Sequence, residues 1–394
     1  MGAKTYPWTK VAPTIGVIFL SPAILAVGST MGAILPFWYA VVTSVVAAAT
    51  VSTLIYLHGG SGARLHLPFV QLMESTLGVR GSRFLASPLI VITQVGWFAV
   101  LITLGGEAAF NIIGLDRLGL IILFGAAVAA VTFFGFGRLS DFTKVTATLT
   151  AAFAAWSLYT ILIKGPSLAT PPSAPPDLFY LIGLAIGGAT SISTVSPDFL
   201  KDARGPRDVK ITAYGVVLPL ILFTLISGNL LGNYTTLQNP VFALAAINLP
   251  ILANLLLLLG STASASSLYP PTIALANITK IKRSYATIPV AAAGLFIAYL
   301  GIVDQLSIFL HLIGILLPPL IGISLVQFYI LTKGKADPKT GVNLKGIISW
   351  VIGAGVGIIP FGIAPIQALS ASLLVYYILM KFPRARALLT CKHG

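Results

Sequence analysis

Charge is what this sequence has least of. Only 9% of its 394 residues are Asp, Glu, Lys or Arg, where an average soluble domain carries roughly 25%. Apolar residues make up 57%. No soluble fold of this length could hide so much apolar side chain while offering water so few charges, and a disordered chain is excluded for the same reason. Cysteine is nearly absent: Cys391 is the only one. That excludes an intramolecular disulfide and a thiolate metal centre. There are four histidines, His58, His66, His311 and His393. No Walker loop, GxSxG elbow, HExxH pair or paired haem ligand is present, which removes the common hydrolytic and redox enzymes.

What is present is a basic surplus, a formal net charge of +14. Nucleic-acid binding needs Lys and Arg gathered on one face or stripe. Here they punctuate long apolar runs instead, so the chain reads as a polytopic membrane protein. A spanning helix needs roughly 20 mostly apolar residues. Twelve such runs are found, at about 11–34, 36–58, 86–113, 117–136, 141–164, 178–196, 210–231, 244–268, 286–303, 305–331, 344–363 and 365–382. The first is too long for a signal-peptide core and is read as a span.

With twelve spans, alternate connections share a side of the membrane. One set of connections holds 22 of the 24 basic residues, and the other holds only Arg117 and Lys164. The positive-inside rule then predicts a multi-pass protein of the cytoplasmic membrane with both termini in the cytoplasm.

Irregular backbone survives in lipid only where it is buried in protein or lines a cavity. Helix-breaking residues are therefore informative. The first span carries Gly16, Ser21-Pro22 and Gly28 to Gly32. The sixth carries Gly187-Gly188 and a hydroxyl run ending at Pro197-Asp198. The eighth carries Gly260 to Ser267 and then Pro270-Pro271, and the tenth carries Gly314 and Pro318-Pro319. Small residues in such helices mostly serve close packing. Interrupted spans one and six, however, occupy matching positions in two five-helix halves, a pointer to a transport site. The odd offset inverts the second half. The expected organisation is one all-α transmembrane domain over residues 1–394, with inverted repeats at about 11–164 and 178–331 and extra helices at about 344–382. Broken helices one and six are expected.

Few polar groups lie deep in the spans. Gln94 and Trp97, three apart in the third span, put an amide and a flat ring on one helix face. That suits a planar heterocycle with hydrogen-bonding edges, or else a simple packing pair. No carboxylate lies at mid-depth, which argues against a midplane carboxylate relay. The coupling ion is then Na⁺, or a proton carried through Glu107 or His311. No other cofactor is expected.

These residues resemble the nucleobase–cation symporter-1 family, in its cytosine permease-like branch. Gln94-Val95-Gly96-Trp97-Phe98 is similar to the family's third-helix motif. Ser191, Thr194, Asp198 and Phe199 are similar to its sixth-helix signature. Ser261-Thr262 with Leu268-Tyr269 and Ala276-Asn277-Ile278 resembles its eighth helix. Leu317-Pro318-Pro319 with Phe328-Tyr329 resembles its tenth. The resemblance implies a leucine-transporter-like five-plus-five fold and a small ring stacked on Trp97, held by Gln94 and Ser191. Ala189 stands where the family usually offers a second ring. In helix eight, Ser264 and Ser267 fall in a run lacking the usual Asn, and Gln327 replaces an acid. A sodium site is implied from the carbonyls of Val17 and Leu20 with the hydroxyls of Ser261 and Thr262. Thr262 with Ser264 is an alternative hydroxyl set. The implied activity is cation-coupled import of cytosine, another nucleobase, a hydantoin or a vitamin-like ring. The partners implied are that ring, Na⁺ or H⁺ and the lipid bilayer, with no nucleic acid. The alternatives are a five-plus-five transporter of amino acids or amines and, more remotely, an integral-membrane enzyme or a channel.

Overall fold

Apolar runs with this little charge have one way to satisfy their backbone in lipid, which is helix. The computed structural model describes residues 5–164, 178–237, 243 and 250–381. Lys4, Arg384, Arg386, Cys391, Lys392, His393 and the start of the eighth run lie outside the described residues. Within them the chain is helical, and its β pairing is a single isolated bridge between Tyr6 and Ala203.

The long helices are α1 (Trp8–Phe19), α2 (Pro22–Ile34), α3 (Phe37–Leu54), α4 (Ser87–Ile113), α5 (Arg117–Phe133) and α6 (Phe136–Lys164). There follow α7 (Leu178–Leu200), α8 (Leu218–Thr235), α9 (Pro250–Ser261), α10 (Ser264–Thr279) and α11 (Arg283–Tyr299). Last come α12 (Leu306–Leu316), α13 (Pro318–Leu325), α14 (Leu344–Ile358) and α15 (Ala364–Lys381). Among the described residues, six helical stretches are long and apolar enough to cross a membrane, and α1 with α2 makes a seventh if counted as one bent span. Large apolar side chains face outward, among them Trp38, Phe134, Phe296 and Leu344. In water such a surface would aggregate, so it is a lipid-facing surface.

The breaks differ from span to span. α1 and α2 meet at Leu20-Ser21 with a 45° bend, and Pro22 opens the second half, where its missing N–H is harmless. The expected break in the sixth span is absent: α7 runs continuously from Leu178 to Leu200 with Pro197 inside it. Its hydroxyls bond back along the helix, Thr190 to the Ile186 carbonyl at 2.6 Å and Thr194 to the Thr190 carbonyl at 2.9 Å. The glycines serve instead as points of close contact, since a Cβ on Gly187 would stand 3.1 Å from Gly314 Cα. Pro270 and Pro271 also lie inside a helix, α10, which continues to Thr279 rather than ending near 268. The interruption of the eighth span is earlier, at Thr262-Ala263.

α2 and α8 cross at Gly28/Gly32 and Gly228/Gly232. A Cβ on Gly232 would sit 2.0 Å from the Ser29 carbonyl oxygen, and one on Gly28 would sit 2.5 Å from that of Leu225. Two GxxxG faces thus bring the backbones together, a packing mode that needs no hydrophobic driving force.

Candidate functional site

Three helices converge on Trp97. α4 and α7 run antiparallel. Gly188 lies against the Trp97 ring, where a Cβ would be 3.9 Å from Cζ2. One turn along, Gln94 Nε2 donates to Ser191 Oγ at 2.6 Å. α12 completes the junction: Phe309 meets the Trp97 ring edge to face, with centroids 5.5 Å apart and planes at 74°. Its ring rests on Gly96, where a Cβ would stand 2.6 Å from Cε2. Leu310 closes on Gly188, 3.2 Å from the position of a Cβ there.

Gln94, Trp97 and Ser191 are all buried. Gln94 Oε1 and Trp97 Nε1 have no hydrogen-bond partner. An unsatisfied buried polar group costs roughly 1–3 kcal/mol. One free acceptor and one free donor beside a buried ring are therefore a notable arrangement, and one a ligand would relieve.

α10 contributes hydroxyls. It runs antiparallel to α4, with Asn277 Nδ2 bonded to Ser87 Oγ at 3.1 Å and Ser261 Cβ lying 2.8 Å from where a Cβ on Gly105 would be. That register puts Ser267 level with Trp97 and Phe98. Ser266 and Ser267 are buried with free hydroxyls. Ser264 is engaged locally, donating to the Ser261 carbonyl at 2.7 Å across the break. Ala189 is buried on α7, and its carbonyl accepts a 3.5 Å bond from Ser193 Oγ.

The breaks in the first and eighth spans face each other. A Cβ on Gly260 would stand 3.0 Å from the Leu20 carbonyl oxygen and 2.9 Å from Pro22 Cδ. Ser261 Oγ beside it is buried and free. Thr262 Oγ1 donates to the Leu259 carbonyl at 2.5 Å, and the Val17 carbonyl accepts from Leu20 N at 3.1 Å. A carbonyl keeps a second lone pair. The contact across the two breaks is thus made by Gly260 with Leu20 and Pro22; Ser261 and Thr262 follow Gly260 in the chain, with Ser261 Cβ against Gly105 of α4, and Val17 lies one turn before Leu20.

The remaining motif residues close the end of the molecule near Tyr6. Asp198 Oδ1 accepts from Phe69 N at 2.8 Å. Phe199 packs on Tyr269 with centroids 6.1 Å apart, and Phe136 does so at 5.8 Å. Arg283 lies over the Tyr269 ring at 5.2 Å. The segment Tyr6–Trp8 is tied to the 202–208 loop through Tyr6 N to the Asp202 carbonyl at 2.6 Å and Trp8 N to Asp208 at 3.0 Å. Burial lowers the pKa of Lys201 in that loop, but Tyr269, Asp202 and Asp198 more than offset it, leaving it above the ordinary lysine value. At the opposite end Glu107 is ion-paired with Arg117, and His311 lies 6.3 Å from Tyr180, ring to ring. Gln327 accepts from the Tyr376 hydroxyl at 2.8 Å.

Phe309 escapes sequence reasoning, whereas Gly188 and Ser266 stand out only as members of the small-residue runs in their spans. Phe309 sits in the uniformly apolar Ile308-Phe309-Leu310 run, and only the helix crossing singles it out.

A fold of this kind is found in solved membrane transporters. Mhp1, a nucleobase-cation-symport-1 family transporter in a closed conformation with bromovinylhydantoin bound, matches 99% of this chain and 95% of its own, with a TM-score of 0.84 at 18% identity. A Na⁺-coupled sialic acid symporter matches 96% of this chain and 90% of its own, with a TM-score of 0.73 at 14% identity. The class that this fold and its outward apolar surface define is that of multi-pass helical membrane proteins. Residues 5–379 match the family described as permeases for cytosine/purines, uracil, thiamine and allantoin, and the chain belongs to that family. The cytosine permease of Escherichia coli K12 is 25% identical over 346 residues, covering 83% of this chain and 79% of its own. The putative allantoin permease of the same strain is 22% identical over 348 residues, covering 74% and 70%.

Proposed function

We propose that this permease imports a small planar nitrogen heterocycle, such as cytosine or another nucleobase, coupled to Na⁺ or H⁺. The observation that carries the reading is the buried Trp97 ring flanked by an unpartnered donor, its own Nε1, and an unpartnered acceptor, Gln94 Oε1. A planar ring lying on the indole face can donate an N–H to Gln94 Oε1, while the indole N–H, which points out in the plane of its own ring, is left for a separate acceptor. Ser267 Oγ, at the same depth, supplies a third polar contact. Membership in a family of cytosine, purine, uracil, thiamine and allantoin permeases supports this chemistry.

Sodium suits the junction of the α1–α2 and α9–α10 breaks. Carbonyl and hydroxyl oxygens without a carboxylate fit a weakly held monovalent cation. Ordering that junction holds α10, which carries the free serines, against α1. Cation binding thereby preorganises the ring site, and the substrate's affinity for the ordered state draws the population toward it. In this reading the chain crosses the membrane twelve times as two inverted five-helix repeats plus two helices. Both termini are cytoplasmic, and the Tyr269 cluster is the inner closure.

The test is a thermal-shift screen of the purified protein with cytosine, uracil, hypoxanthine and allantoin, each with and without Na⁺. A ring that stabilises the protein more in sodium supports the reading, since ligand binding to the native state raises stability by mass action. Stabilisation equal in sodium and in potassium would shift the coupling to protons. No stabilisation by any ring would reject the substrate class.

A further inference from the structure

A second buried polar group lies where α2 ends against α3 and α8. Asn229 and Asn233 stand one turn apart on α8. A Cβ on Gly32 of α2 would be 2.0 Å from the Asn229 carbonyl oxygen, so the two backbones touch there. Both asparagines are buried, at 0% and 4% exposure. Their partners fix the orientation of each amide. Ser44 Oγ on α3 donates to the Ala40 carbonyl at 2.9 Å, and so accepts from Asn229 Nδ2, also at 2.9 Å. Asn233 Nδ2 faces two carbonyls, Gly32 at 3.3 Å and Leu35 at 3.5 Å. The first of these needs a donor from outside its helix, because Pro36 has no N–H to continue the α2 ladder. Each amide thus turns its nitrogen to the protein and leaves Oδ1 over. Among the described residues neither Oδ1 has a hydrogen-bond partner.

We propose that these two oxygens belong to a further cation site, separate from the junction of the α1–α2 and α9–α10 breaks, that takes a monovalent ion such as Na⁺. The group is short of donors. Its hydroxyl hydrogen and both amide nitrogens are directed at Ser44 and at carbonyls, and what remains are acceptors. Two buried acceptors on neighbouring turns call for a cation or a donor. The C-terminal end of α2, where the helix dipole is negative, favours a positive occupant. No Asp, Glu, Lys or Arg lies between Lys10 and Arg64 or between Lys210 and Lys280. The three helices therefore offer no carboxylate to hold a divalent ion and no basic side chain to fill the place, and neutral amide and carbonyl oxygens suit a weakly held alkali ion. Bound there, the ion ties the second half of the broken first span to α3 and α8, so that the three move as one body. The site is independent of the ring site at Trp97.

The experiment counts radioactive sodium bound per chain, by equilibrium dialysis of the purified protein at a sodium concentration that saturates wild type. It is run on wild type, on Asn229→Leu, which fills the same space without an oxygen, and on Asn229→Asp. Melting of each in sodium chloride and in choline chloride is the folding control. Two ions per chain are expected in wild type and one in Asn229→Leu. One ion in wild type and none in Asn229→Leu supports the site and removes the junction site. An unchanged count in Asn229→Leu overturns the inference alone, and no bound ion in wild type overturns both cation sites. Asn229→Asp tells a cation from a buried water. In choline its carboxylate is buried and unpaired, so it should melt well below wild type. Sodium should restore most of that loss and bind about tenfold more tightly than to wild type, because opposite charges then meet away from water. Equal destabilisation in sodium and in choline means that a water fills the place, and overturns the inference. Should Asn229→Leu fail to fold, this comparison in Asn229→Asp decides.

Discussion

Gln94 Nε2 donates to Ser191 Oγ at 2.6 Å, and this bond stitches α4 to α7 beside the indole of Trp97. It uses one end of the amide and leaves Oε1 free. The residue that orients the amide is thus separate from the atom that the proposed ligand would meet. Ser191→Ala removes the orienting partner and strands the amide N–H in a buried site, at a cost of roughly 1–3 kcal/mol. The unliganded variant should melt several degrees lower and bind the substrate ring about tenfold more weakly. Thermal denaturation with and without ligand checks both, and wild-type behaviour in both would remove Ser191 from the site.

Trp97 offers a stacking face and a free Nε1. Trp97→Phe keeps a face and loses the donor. Trp97→Ala loses both and leaves a core cavity, worth about 3–5 kcal/mol. Binding should weaken about tenfold in the first and vanish in the second, measured as equilibrium binding to detergent-purified protein that elutes as a single species. Equal binding by Trp97→Phe and wild type would mean that neither the larger indole face nor Nε1 contributes to holding the ligand.

The α2–α8 crossing should tolerate nothing larger than hydrogen. Gly232→Leu drives a side chain into the Ser29 carbonyl, 2.0 Å from the Cβ position, and should abolish recovery of monodisperse protein. Gly355 on α14 has nothing within 4 Å of its Cβ position. Gly355→Ala should be neutral or stabilise by about 0.5–1 kcal/mol, because alanine loses less freedom on folding. Size-exclusion profiles of the two variants compare them directly.

Much of the fold was legible because the apolar runs and their punctuation are strong signals. Helices lie where the runs lie, and the Ser21-Pro22 interruption coincides with the 45° bend. The sixth span misled because glycine and hydroxyl residues have two uses in lipid. In α7 the hydroxyls satisfy their own helix and the glycines meet other helices, so composition suggested a break that geometry does not make. The site was half legible. Gln94 and Trp97 stand out as an amide and an indole deep in an apolar helix. Ser264 and Ser267 look alike in sequence, yet only the second is free, because Ser264 spans the α9–α10 break. Phe309 carries no mark at all, since its contact with Trp97 arises only where three helices cross.

The cation junction makes its own prediction. Ser261→Ala deletes a buried hydroxyl without a partner, so the unliganded protein should be as stable as wild type or slightly more so. The sodium concentration giving half-maximal stabilisation in the presence of the ring should rise at least several-fold. A titration followed by melting temperature measures it, and an unmoved midpoint would take Ser261 out of the ion site.

The central claim is that a cation gradient drives a planar heterocycle through the site built around Trp97. Uptake of radiolabelled cytosine and uracil into proteoliposomes under an imposed inward sodium gradient, an imposed proton gradient, or neither, tests it most directly. Accumulation of a ring above its outside concentration under one of the gradients, absent without it and absent in Trp97→Ala, is the predicted result. Equal uptake with and without both gradients, or full accumulation by Trp97→Ala, would contradict it.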